Sequence, residues 1–259
     1  MSKSAKKFSL NILYAVASVA LVLAVWSVAA QIVGTKFILP TVGETFSELG
    51  DVLESKTFWS ALGGTFARSG IGFAAATVCF FALFFFCSVF EPCAKIFEPI
   101  ISALRTLPIM AVSLILAIWA GGYAAPVIVG VLVAVPYMYA SVKARNATVE
   151  KELKEICVLC GAGRVRTFAA LWFPHAAAGL PETLSSGFSF CVKAVVSAEI
   201  LMQTANSIGQ LMNLSKIYLE TAMLIAFVFS TVILTVAVEY IMRAALSIAL
   251  KKYGSRKMA

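Results

Sequence analysis

Six long runs of apolar residues dictate what this chain can fold into: roughly 9–31, 59–88, 97–120, 124–143, 183–204 and 218–246. Each is at least as long as the ~20 residues that carry a helix across a bilayer. Within hydrocarbon every backbone N–H and C=O must be satisfied inside the segment, which leaves helices as the simple solution. Composition agrees: only 13% of residues are charged, against about 25% in soluble domains. The expected fold is an all-α integral membrane protein with about six transmembrane helices. The second and sixth runs exceed a bilayer's thickness and imply tilt or protrusion into water.

Lys3, Lys6 and Lys7 precede the first run. That run continues from Phe8 to about Ala30, longer than the ~7–15 apolar residues of a cleavable signal core. It reads as a true span. After it, Glu44, Glu48, Asp51 and Glu54 fall at helical spacing, which suggests a short surface helix. Three stretches follow: 1–58, with the first span and an outer segment; 59–246, the core, with a polar loop at 146–174; and 247–259, a basic tail.

The net charge of +8 first raises the question of nucleic acid. The position of the charges answers it. With the N-terminus in the cytoplasm, the inner side gathers sixteen of the twenty-one basic residues, among them Lys143, Arg145, Arg243, Lys252, Arg256 and Lys257. The outer loops keep Lys36, Lys56 and Lys216, while Arg68 and Lys193 fall inside spans. This asymmetry places both termini in the cytoplasm. The six cysteines show no zinc-type spacing with the single His175, and Cys157 and Cys160 read as packing residues rather than a redox pair. No metal, cofactor or nucleic-acid partner is expected.

The loop between the fourth and fifth runs carries the strongest signal. Thr148 is placed to cap a helix whose first turn holds Glu150 and Glu152. Leu153, Ile156 and Cys160 form an apolar stripe, and Gly161 stands where a helix end wants positive φ. A second stretch holds Arg164, Arg166, Phe168 and Trp172, and Pro174 interrupts it. Two short helices meeting at a glycine elbow would suit a cleft in a soluble partner.

Glu155-Ile156-Cys157, then Gly161, then Trp172-Phe173-Pro174 resemble the EAA loop of binding-protein-dependent ABC permeases. Ile156 and Cys157 stand where the family pattern has alanines. Phe37-Ile38-Leu39-Pro40, Thr65-Phe66-Ala67-Arg68, Glu98-Pro99, Leu104-Arg105-Thr106-Leu107-Pro108, Ile118-Trp119-Ala120-Gly121, Ala198-Glu199 and Ser207-Ile208-Gly209 resemble the nitrate/sulfonate/taurine branch in order and spacing. The resemblance implies a type I ABC importer (MetI-like) fold in the cell inner membrane. It also implies two ATPase subunits, a second permease copy, and an external substrate-binding protein received by the outer loops around 37–58 and 203–217. The loop residues Glu152, Glu155, Ile156, Cys157, Gly161, Arg164 and Pro174 would then grip the ATPase. The cargo would be a small anion or organic solute such as nitrate, a sulfonate, taurine or a vitamin precursor.

Ionisable groups at mid-bilayer cost roughly 2.5–3.5 kcal/mol on insertion scales and face a cavity or a partner. Arg68, Lys193 and Glu199 are therefore candidates for the solute path. A direct Lys193–Glu199 pair is not favoured by their six-residue spacing, and Glu199 lies near the outer, solvated end of its run. Pro108, Pro126 and Pro136 remove backbone donors and suggest kinked helices beside the path. Ser185, Ser186, Gly187 and Ser189 suit either close packing or a pore lining. No nucleotide-binding loop of the GxxxxGK[ST] type and no nucleophile–base pair occurs, so an enzyme is not expected. The rival is an ion-coupled secondary transporter, which would favour buried carboxylates.

Overall fold

A computed structural model describes residues 3–256, with side chains outside residues 3–12, 15, 158 and 252–256. Lys3, Lys6, Lys7, Lys252, Arg256 and Lys257, which weigh in the orientation argument, lie outside the described side chains. The described residues form helices α1 (Lys3–Val33), α2 (Val42–Glu54), α3 (Lys56–Val89), α4 (Glu91–Thr106), α5 (Ile109–Asn146), α6 (Lys151–Leu159), α7 (Arg164–Thr167), α8 (Phe173–Ala177), α9 (Leu180–Met202), α10 (Ile208–Ile217) and α11 (Thr221–Arg256). A π-helical turn, Phe168–Trp172, joins α7 to α8. No strand occurs among the described residues.

Five of these helices are long and apolar enough to cross a membrane: α1, α3, α5, α9 and α11. The count differs from the six runs because of α4 and α5. The run 97–120 is not one helix, since the chain leaves helical geometry at Leu107, ahead of Pro108. Its first half is amphipathic α4, and its second half is the start of α5. Inside α5, Gly121 has φ 72° and ψ 172°, a conformation that costs a residue with a Cβ but not glycine. Ile109 and Val112 line one small cavity with Val129 and Val133. Leu116 packs on the cluster of Val129, Ala194 and Ala198. In a straight helix Val112 and Val129 would be about 25 Å apart, so the chain doubles back at Gly121. The limb from Ile109 to Ala120 then covers only about 18 Å of a ~30 Å hydrocarbon layer. The other limb, which carries Pro126 and Pro136, keeps helical geometry through both prolines. The departures from helical geometry sit at Leu107 and Gly121 rather than at those two prolines.

The chain divides into two compact units: the residues up to Trp59 with Leu211–Ser230, and Ser60–Gln210 with the chain from Thr231 onward. In the first, the Trp26 indole N–H donates to the Pro40 carbonyl at 3.0 Å, and Trp26 packs against Phe229. Phe58 stacks on Phe227. The acidic stretch forms the surface helix that its spacing predicts, and a capping box opens it. The Thr41 hydroxyl accepts from the Glu44 N–H at 3.2 Å, and the Glu44 carboxylate accepts from the Thr41 N–H at 2.9 Å. That backbone N–H, with the Thr41 hydroxyl second, holds the Glu44 carboxyl below its usual range. The box is therefore complete at neutral pH and is lost as pH falls through that lowered value. Thr41→Ala should speed amide hydrogen exchange in the first turn of α2 by about fivefold, read by mass spectrometry.

The core of the second unit lies where α3, the longer limb of α5, α8 and α9 meet. Ala76, Phe80, Phe84, Met138, Val142, Ala176, Cys191 and Val195 are its buried members. Ser185, Gly187 and Ser189 are buried on α9, and Ser186 is half-buried. The six cysteines are all free.

Candidate functional site

Two constellations in the second unit gather the candidate residues. The first is the loop after α5. Helix α6 starts at Lys151, three residues beyond Thr148, and the Thr148 hydroxyl donates to the Arg145 carbonyl at 2.7 Å. Thr148 therefore closes the end of α5 rather than capping α6. At its other end α6 stops in a Schellman turn. The Ala162 N–H reaches back to the Cys157 carbonyl at 3.0 Å, and Gly161 takes φ +64°, the left-handed conformation that this motif places one residue past the cap. Pro174 does not interrupt the second stretch. The helix instead widens ahead of the proline, and the Phe173 N–H donates to the Phe168 carbonyl five residues back. The π turn absorbs the clash that a proline ring makes with the preceding turn of an α-helix.

The elbow is anchored at its base. Arg145 Nε donates to the His175 carbonyl at 3.2 Å, and the His175 ring lies 3.1 Å from the Arg145 carbonyl. Phe168 inserts between Phe84 and Phe85, with ring centroids 5.3 and 5.2 Å away. The Lys154 ammonium lies 5.4 Å from the centroid of Trp172, tying α6 to the π turn. The outward side is different. Glu152, Glu155, Arg164 and Pro174 are exposed, and Cys157 is half-buried. Leu153, Ile156 and Leu159 are 44%, 53% and 85% exposed. Cys160 is exposed as well, so the stripe of Leu153, Ile156 and Cys160 is real but uncovered, and Cys160 does not pack within the chain.

The second constellation gathers charges inside the spans. Arg68 and Glu199 are both buried and meet at 2.7 Å. The Thr65 hydroxyl donates to the other Glu199 oxygen at 2.8 Å, and the Gly209 N–H approaches it at 3.4 Å. Arg68 also donates to the Asn206 carbonyl at 3.0 Å and lies over the Tyr123 ring at 5.6 Å. The network ties α3, the Gly121 turn, the end of α9 and the start of α10. Glu199 is thus neither solvated nor near Lys193; its partner lies 131 positions away. Sequence order hides such a pair, although both residues stood out singly as charges in apolar runs.

Glu239, on α11, is a further intramembrane carboxylate that attention to α9 alone overlooks. It accepts from Ser186 at 2.9 Å and from Ser189. Apart from Glu220 at its very start, Glu239 is the one acid in the run 218–246, and that isolation is the signal for it. Lys193 stands apart from both groups. It is exposed, and its ammonium lies 5.1 Å from the centroid of the Phe190 ring. Pro108 is exposed at the start of α5, and Pro136 is buried within it. The structure thus joins Arg68 to Glu199 and Ser189 to Glu239, but brings neither pair to Lys193, Pro108 or Pro136.

Residues 90–248 match the sequence profile described as binding-protein-dependent transport system inner membrane component. No curated protein matches the chain.

Proposed function

Because the chain belongs to the family of binding-protein-dependent transport system inner membrane components, we propose that its α6–α8 elbow is the handle by which a separate ATPase drives it. The chain is a multi-pass inner membrane protein and an ABC importer permease, and components of this family work with an ATPase and a substrate-binding protein. In the proposed assembly two copies enclose the path, two ATPases sit on the cytoplasmic side with the elbow and both termini, and the binding protein docks outside. The cargo is a small anion or organic solute. Closure of the ATPases on nucleotide draws the elbows together and swings the spans between inward- and outward-facing states.

The observation that carries this reading is the uncovered apolar face of α6 on an anchored base. Leu153, Ile156 and Leu159 face away from their own chain, while Phe168 and the Arg145–His175 clasp hold the elbow at its root. A plain connecting loop needs neither feature. Reconstituted in proteoliposomes with ATPase and binding-protein partners, the chain should import only when nucleotide is supplied. Glu155→Lys, at an exposed site, should weaken ATPase co-purification by about tenfold or more without moving the Tm of the chain. Full import with no ATPase present would overturn the reading. That result would favour ion coupling through Glu239, whose hydrogen-bond partners among the described residues are the Ser186 and Ser189 hydroxyls; Glu199 is already neutralised by Arg68.

A further inference from the structure

Helix α9 is buried along most of its length, with one exception that has helical order. Glu182, Ser186, Phe190, Lys193 and Ser197 recur at steps of four, four, three and four residues. Apart from Leu184, they are the only positions from Glu182 to Glu199 that are not buried. Steps of three and four place them on one face. A spanning helix therefore shows a single narrow stripe to its surroundings, and that stripe is polar except for one aromatic ring. Lipid does not accept such a face.

Within the stripe the charges are unevenly satisfied. Glu182 is paired with Arg243 at 3.4 Å. Ser186 donates to Glu239, and the Ser197 hydroxyl donates to the Lys193 carbonyl at 2.8 Å. Glu199 is consumed by Arg68. Lys193 has no carboxylate within ion-pair distance among the described residues; it rests over Phe190, and Phe190 packs on Tyr137 with centroids 4.2 Å apart and planes 32° apart. Roughly 20 Å along α9 from Leu180, this is an ammonium deep in the span, steadied by a ring, with its hydrogen-bonding side free and a two-ring aromatic surface beside it.

We infer that Lys193, Phe190 and Tyr137 form a cargo subsite for a small organic anion, the ammonium taking the charged group and the ring pair taking an apolar or planar body. The inference rests on the permease reading for its biological sense and gives that reading a substrate class. An anion is selected because it supplies the charge that the chain withholds from Lys193. A cation is rejected by the same ammonium, and a neutral isostere leaves the ammonium uncompensated in a low-dielectric passage.

The test uses the purified full chain in nanodiscs and three ring compounds of matched size: benzenesulfonate, benzyl alcohol and benzylammonium. Benzenesulfonate should raise the Tm of the wild-type chain and of Lys193→Arg. Lys193→Met should lower its apparent affinity by about tenfold or more, the expected loss of a charge-assisted contact. The alcohol and the ammonium should shift no variant. An equal benzenesulfonate shift in Lys193→Met, no shift in the wild type, or a preference for benzylammonium would each overturn the subsite. The ATPase reconstitution separates the two claims. Nucleotide-driven import with no Lys193-dependent benzenesulfonate effect sinks the subsite alone. A Lys193-dependent shift in a chain that never responds to nucleotide sinks the ATPase-coupling reading and leaves the anion site standing.

Discussion

Arg68→Met is expected to be among the most damaging single changes in the chain, costing about 3–5 kcal/mol as the removal of one member of a buried ion pair does. Glu199 is fully buried, so the change strands a carboxylate whose remaining donors are the Thr65 hydroxyl and the Gly209 N–H. Arg68 also releases the Asn206 carbonyl, which loosens the turn between α9 and α10. Glu199→Leu should be comparably harmful because it strands the guanidinium. The double variant Arg68→Met/Glu199→Leu should recover much of the loss, since neither charge is then left alone. The measurement is denaturant-induced unfolding of the four proteins in mild detergent. Single variants within about 1 kcal/mol of wild type would mean that the pair is wetter than its burial indicates.

Gly161→Pro should abolish nucleotide-driven import while the spans stay folded. Position 161 needs φ near +64°, and proline fixes φ near −65°. The Schellman turn must then open, and the Ala162 N–H loses the Cys157 carbonyl. The apolar face of α6 would be re-aimed, although Phe168 and the Arg145–His175 clasp still hold the base. The expected result is a fall in import of about tenfold or more, with the Tm within a few degrees of wild type, because misplacing a docking element costs binding rather than core packing. Gly161→Asn, which tolerates the left-handed region, should retain most of the activity. Wild-type import by Gly161→Pro would show that the elbow's geometry does not matter to the motor.

Local chemistry was legible in the sequence and remote pairing was not. The elbow could be read because glycine at a helix end and apolar steps of three and four are short-range signals; both reappear as the Gly161 turn and the α6 face. The acidic helix α2 followed from spacing in the same way. Thr148 misled because its hydroxyl had two possible backbone partners, and the end of α5 took it. Pro174 misled because a π turn is invisible to a rule that expects prolines to break helices. The run 97–120 looked continuous because apolar content does not record direction; Leu107 and Gly121 reorganise it without changing hydropathy. The Arg68–Glu199 and Ser189–Glu239 contacts join residues far apart in the chain, and no periodicity carries that information. Lys193 is visible in the sequence as a charge in a span, but only the burial of its neighbours on α9 sets it on an exposed stripe.

The clasp between Arg145 and His175 has a mechanical corollary. Arg145 lies on the last turn of α5, and His175 lies on α8, a few residues ahead of α9. The elbow therefore leaves and rejoins the bundle at this clasp, with Phe168 held on α3 as a second anchor. A pull at its tip becomes a torque shared by α5 and α9, which interlock through Met138, Cys191 and Val195. If a motor grips the tip as proposed, the two rods turn as one tiller and are steered together.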